Sequence, residues 1–274
     1  MSTRVNEILA ERAAQRGNAA AHPRRVLFWD VESSPMQAFI WRLRTEYVNP
    51  NAVLNEPFLL CWAAKWEDED RVHRARLQPQ EAKDQDDSRI VAKLADLVAK
   101  ADVIVAHNGD RFDQPMLNTR LAVHDLEALP PIHSIDTLKL VKRHFSFASN
   151  KLDYISQLLG VGSKKPTGFD LWVRCFNGDQ AALRQMDEYC QHDVRILEDA
   201  FQMVRPFIKL PRMVTATHEG QVACPHCGSA DVATDGRVHP TNASEFDRWT
   251  CGSCGKSSRS RRSNRDAKLA LVPL

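Results

Sequence analysis

Apolar positions in the first part of the chain come in runs of strand length. Val26–Trp29 is unbroken and opens a strand over 25–31, while Met36–Leu43 and Phe58–Trp66 predict two more. Pro50 and Pro57 bracket a loop between these two, and Asp68–Asp70 suits a turn into a short strand Val72–Leu77. The period then changes. Ile90, Val91, Leu94, Leu97 and Val98 share the inner face of a helix over Ser88–Lys100, which leads into Asp102–Ala106, an apolar run of parallel-strand type. Asn108-Gly109 ends that run, and Asp113 followed by Pro115 marks a helix start. Ile132–Ile135 is a short fifth core strand, followed by helices near Asp136–His144, over Leu152–Leu159 and over Asp179–Val204. Val5, Ile8 and Leu9 sit at helical spacing and predict an amphipathic helix over 3–16.

Strands first, then helix and strand in alternation, imply a mixed five-stranded α/β sheet with helices on both faces. From Val222 onward Gly, Ser, Cys and Arg replace apolar residues, so a separate unit too poor in core to fold unaided begins there. The expected organisation is an N-terminal helical extension (1–23), an α/β domain (24–210), a cysteine-bearing unit (220–262) and a tail (263–274). No segment approaches the roughly 20 apolar residues needed to cross a bilayer. The first 20 residues lack a signal-peptide core, and Glu7 and Glu11 count against organelle targeting. A cytoplasmic protein with no membrane partner is expected. The net charge of +2 says little, but Arg248–Lys268 holds seven Lys/Arg against one acidic residue, a segment able to meet a polyanion.

Carboxylates stand out in three places. Asp30 and Glu32 are i and i+2 on the first strand, so both project to one face while Val31 enters the opposite layer. Alone, the pair reads as a solvated strand end. Asn108 to Asp113 follows the next core strand, where Asn108-Gly109 suits a turn and Asp113 a helix N-cap. Tyr189 and Asp193 are i and i+4 on a helix and share a face, as many surface pairs do. Taken together the three are more specific. Carboxylates converging on one site require cations, and Mg²⁺ or Mn²⁺ suits an all-oxygen ligand set. Two such ions about 4 Å apart serve an in-line phosphoryl displacement. A nearby phenol would orient the attacking water.

These residues resemble the DEDD superfamily of 3′–5′ exonucleases, on the RNase H-like fold. Asp30 and Glu32 match its Asp-x-Glu motif. Asn108, Phe112 and Asp113 match the Asn-x-x-x-Phe-Asp of proofreading domains in family B DNA polymerases, and Tyr189 with Asp193 match the Tyr-x-x-x-Asp of the tyrosine branch. The histidine branch has a His five residues before the final Asp, where this chain has Glu188. Ser149–Tyr154 is similar to the segment preceding the third motif. The resemblance covers roughly residues 24–205. It implies a metal-dependent 3′–5′ exonuclease acting on single-stranded nucleic acid, DNA favoured over RNA. Asp30, Glu32, Asp113 and Asp193 would hold two Mg²⁺ or Mn²⁺ ions, with Asp30 as the bridge. Tyr189 would position water, Asn108 would support the substrate end or the metal-site geometry, and Phe112 would pack.

The seven cysteines are of two kinds. Cys61, Cys175 and Cys190 are isolated and read as small apolar residues. Cys224, Cys227, Cys251 and Cys254 form two Cys-x2-Cys pairs 23 residues apart, each followed by Gly. Four thiolates suit one structural Zn²⁺ in a zinc ribbon. Arg248, Trp249, Lys256, Arg259, Arg261 and Arg262 would give it charge and an aromatic face for nucleic acid, with a protein partner as the alternative. Two rivals stand beside the exonuclease: a non-catalytic nucleic-acid-binding adaptor on a nuclease fold, and a structure-specific endonuclease.

Overall fold

The computed structural model describes residues 25–43, 47–163, 166–208, 222–225, 229–241, 244–253, 255–260 and 263–264. They belong to two compact units, one running to Val204 and one from Arg205 onward. The expected helix over 3–16 and the tail 265–274 lie outside the described residues.

The first unit is built on a five-stranded sheet in the order β5-β4-β1-β6-β7. Its strands are β1 (Val26–Ser33), β4 (Leu59–Trp66), β5 (Val72–Arg76), β6 (Val103–Ala106) and β7 (His133–Asp136); β2 (Gln37–Ala38) and β3 (Val53–Asn55) pair separately. β1, β6 and β7 run parallel, and β4 is antiparallel to both its neighbours. The helices are α1 (Pro79–Asp84), α2 (Ser88–Val98), α3 (Asp113–Val123), α4 (Thr137–His144), α5 (Leu152–Leu158), α6 (Phe169–Phe176) and α7 (Gln180–Val204). The mixed sheet and its flanking helices agree with the sequence pattern. Both faces of the central strands are covered, so Val26–Trp29 and every residue of β4 are buried. Even Lys65 lies inside: its stem is covered, and its ammonium meets Glu198 of α7 at 2.7 Å.

Three expectations differ from what forms. The strand over Met36–Leu43 is two residues long, and Phe39, Trp41 and Leu43 stay exposed among the described residues. Its partner β3 and a short 3-10 turn at Pro50–Ala52 occupy the expected loop. Two short helices, α1 and α6, form where the apolar pattern predicts none. α1 begins at Pro79 under a Gln78–Glu81 capping box, a signal that a strand-centred pattern masks.

Asp87 ties the sheet to two helices. Fully buried just before α2, its carboxylate accepts from the backbone N–H of Leu59 at 2.7 Å. It also accepts from Nε and Nη2 of Arg120 on α3, at 2.7–3.1 Å, and meets Nε2 of His124. One carboxylate therefore holds the start of β4, the start of α2 and the end of α3. Removing its charge strands a buried guanidinium. Asp87→Ala is expected to destabilise the chain by about 3–5 kcal/mol, read as a lowered urea midpoint at constant m-value.

Candidate active site

β1 outruns its parallel neighbour. The β1–β6 ladder ends at Phe28↔Val105, and β6 itself stops at Ala106, while β1 continues to Ser33. On the other side β4 stays paired to the end, Val31 with Trp62 and Glu32 with Cys61. The backbone N–H of Val31 faces the vacated side, where the carboxylate of Asp113 accepts it at 3.0 Å. Asp113 thus arrives between Asp30 and Glu32 by completing the ladder. The sequence predicts Asp113 as an N-cap. The helix instead begins with it, after Phe112, and its 1% exposed side chain reaches across to β1.

The loop that delivers Asp113 is tightly specified. Asn108 adopts φ +70°, a left-handed conformation that Asn tolerates. Its N–H donates to Asp136, whose same oxygen caps α4 at Leu138. The carbonyl of Asn108 accepts from the N–H groups of Arg111 and Phe112. A Cβ on Gly109 would sit 2.5 Å from Cβ of Ala106, so only glycine fits there. Asp136 is not among the sequence candidates, since an N-cap at the end of a strand carries no signature of its own. The Phe112 ring, expected to pack, is 40% exposed.

α7 closes the site over the face of the strand that bears the carboxylates. Phe201 meets Phe28 edge-on at 5.6 Å, which sets the helix over the face that Phe28, Asp30 and Glu32 share. Toward its N-terminus, α7 brings Asp193 to this end of β1. Ligand oxygens of Asp30, Glu32 and Asp193 all lie within 4.8 Å of one another. Tyr189 sits one turn earlier on α7, 8% exposed, with its ring edge-on to Trp172 of α6 at 6.1 Å. The first and third motifs therefore meet at the carboxyl end of β1, where open α/β sheets place their ligands. Asp113 of the second stands outside that group of three and is tied to the backbone of Val31, between Asp30 and Glu32. Like charges about 4 Å apart repel by about 4 kcal/mol at an effective dielectric near 20. An all-carboxylate set under that repulsion fits hard divalent cations.

Beneath these groups lie two thiols whose sequence pattern is that of small apolar residues. Cys190 Sγ is 3.6 Å from Oδ2 of Asp30 and 3.5 Å from its carbonyl oxygen. Cys61 lies on β4, cross-strand from Glu32. Burial pushes both thiols above their usual range.

The second unit holds a three-stranded antiparallel sheet in the order β10-β9-β8: β8 (Val232–Pro240), β9 (Glu245–Cys251) and β10 (Ser257–Arg259). Cys224 and Cys251 are buried there, while Cys227 and Cys254 lie outside the described residues. The N–H of Cys224 donates to the carbonyl of Ser229, and that of Gly255, at φ +67°, to the carbonyl of Cys251. The hydroxyls of Ser229 and Ser253 are 2.7 Å apart, which sets the two cysteine loops side by side. Of the basic residues, Arg248 bonds Ser257, and Arg259 lies over the Phe246 ring at 3.8 Å. Arg261 and Arg262 lie outside the described residues.

Among the described residues no helix is long and apolar enough to cross a membrane. No curated protein sequence matches the chain significantly. Among solved structures, the fold is similar to a family B DNA polymerase from the hyperthermophilic archaeon Pyrobaculum calidifontis, with a TM-score of 0.51 and 19% identity. That match covers 68% of this chain but 25% of the polymerase chain. At that identity the likeness is one of fold. The family match spans residues 63–204, from within β4 to the end of α7, and so takes in Asp113, Tyr189 and Asp193 while leaving β1 outside it. By that match over more than half its length, on a mixed five-stranded sheet, the chain belongs to the RNase_H superfamily.

Proposed function

We propose that the protein is a metal-dependent 3′–5′ exonuclease that removes nucleotides from a single-stranded 3′ end. The observation that carries this reading is the convergence of Asp30, Glu32 and Asp193 within 4.8 Å, beside an Asp113 anchored to the strand between them. Membership of the RNase_H superfamily supports a nuclease.

Asp30, Glu32, Asp113 and Asp193 would hold two Mg²⁺ or Mn²⁺ ions. Such ions supply Lewis-acid stabilisation of the attacking and leaving oxygens in an in-line displacement at phosphorus. The protein's own part is to fix these ligands. The Val31 amide orients Asp113, the β1–β4 ladder orients Asp30 and Glu32, and the Phe28–Phe201 packing sets the height of Asp193. Tyr189, its ring held against Trp172, would orient the attacking water through its hydroxyl. A phenol with a pKa near 10 suits that role better than proton abstraction. Asn108, in the loop held by Asp136, would support the substrate end or the metal-site geometry.

The second unit would be a zinc ribbon with one structural Zn²⁺ on Cys224, Cys227, Cys251 and Cys254. Two buried cysteines in adjacent loops of a small antiparallel sheet support this. Its basic residues would hold nucleic acid, and a protein partner is the other occupant the ribbon could serve.

With 3′- and 5′-labelled oligonucleotides and Mn²⁺, the wild type is expected to shorten the strand from its 3′ end, and Asp30→Ala to lose more than about 100-fold in rate. Products unaffected by Asp30→Ala would exclude the site, and internal cuts would make the protein an endonuclease. Tyr189→Phe is expected to lower kcat by about 100-fold while leaving KM near its wild-type value. Deleting residues 222–274 is expected to weaken oligonucleotide binding. The log–log salt slope should flatten by about 0.7 for each phosphate of the single strand no longer neutralised. Unchanged affinity would leave the ribbon to a protein partner.

A further inference from the structure

The two thiols below the carboxylates have no part in the chemistry above. Cys190 is wholly buried on α7, three residues before Asp193, so one helical face carries both a ligand and this thiol. Its sulfur is within hydrogen-bonding distance of both the carbonyl oxygen and Oδ2 of Asp30. Cys61, also fully buried, stands behind it on β4, across from Glu32. Each thiol has one proton, and an ionised carboxylate only accepts. The Cys190 S–H is therefore the donor to Asp30, within reach of both Oδ2 and the carbonyl oxygen.

The carboxylate torsion of Asp is broad and roughly two-fold, so backbone position alone does not fix which oxygen faces the site. We propose that Cys190 is a positioning residue that fixes the orientation of the Asp30 carboxylate and, through it, the divalent-metal affinity of the site. This rests on the metal-binding reading of Asp30. A thiol is a weak donor, so it selects a rotamer without drawing much charge from the ligand. It is also compact and apolar, so it keeps water from competing for Oδ2 in the floor of the site. Hydrogen-bond partners that orient metal ligands in this way typically change metal affinity by about 10- to 100-fold.

The test is Mn²⁺ binding by calorimetry on the full chain, for the wild type, Asp30→Asn, Cys190→Ala and Cys190→Ser, with melting temperatures measured without metal. Cys190→Ala is expected to weaken Mn²⁺ binding about tenfold. Cys190→Ser keeps a donor and is expected to stay within about threefold of the wild type, while both variants melt alike without metal. Wild-type affinity in Cys190→Ala, or equal losses in both variants, would overturn the positioning role and leave the metal site standing. A wild type that binds Mn²⁺ no better than Asp30→Asn would overturn the metal reading itself, and this proposal with it.

Discussion

The site depends on a mismatch in strand length. β1 continues beyond the last residue that β6 can pair, and the peptide group of Val31 must find an acceptor elsewhere. A buried N–H left unpaired costs about 1–3 kcal/mol. Asp113 meets that need, and in doing so carries a carboxylate to a place where Asp30 and Glu32 already project. The loop between β6 and α3 is shaped around this reach. Gly109 clears Ala106, Asn108 turns into the left-handed region, and Asp136 holds the turn from β7.

The second constraint comes from the helix laid across the sheet. α7 is 25 residues long and packs by its apolar face, with Phe201 over Phe28 and Val194, Leu197 and Ala200 buried along it. Leu183 and Met186 are buried on the N-terminal side of Asp193 as well, so this carboxylate is held within a packed face of the helix. Glu198 on the same helix has the opposite character: it is paired with Lys65 of β4, so its charge is compensated.

Much of this was legible in the sequence. The apolar run before Asp30, the period of α2 and the Asn108-Gly109 break mark the main strands and helices to within a few residues. The residues that meet at the end of β1 are those of three motifs spread from Asp30 to Asp193. What could not be read was any role resting on a backbone partner or a neighbour across the sheet. Asp113 looks like a cap because Asp-x-Pro is a helix start, and nothing local reveals that the amide of Val31 lacks a strand partner. Asp136 and Cys190 matter through residues distant in sequence, and each alone has an ordinary local explanation. The strand expected over Met36–Leu43 falls short for a different reason: its apolar residues promise burial, yet Phe39, Trp41 and Leu43 stay exposed among the described residues.

The hydrogen bond to Val31 also bears on how relatives of this chain should be compared. An acceptor at position 113 is required by the sheet whether or not any chemistry takes place. A descendant that lost its activity would still be selected to keep Asp or Asn there, because folding would suffer without it. Retention at 113 is thus a signature of the fold. A working copy is told from a retired one by the whole carboxylate set, read together.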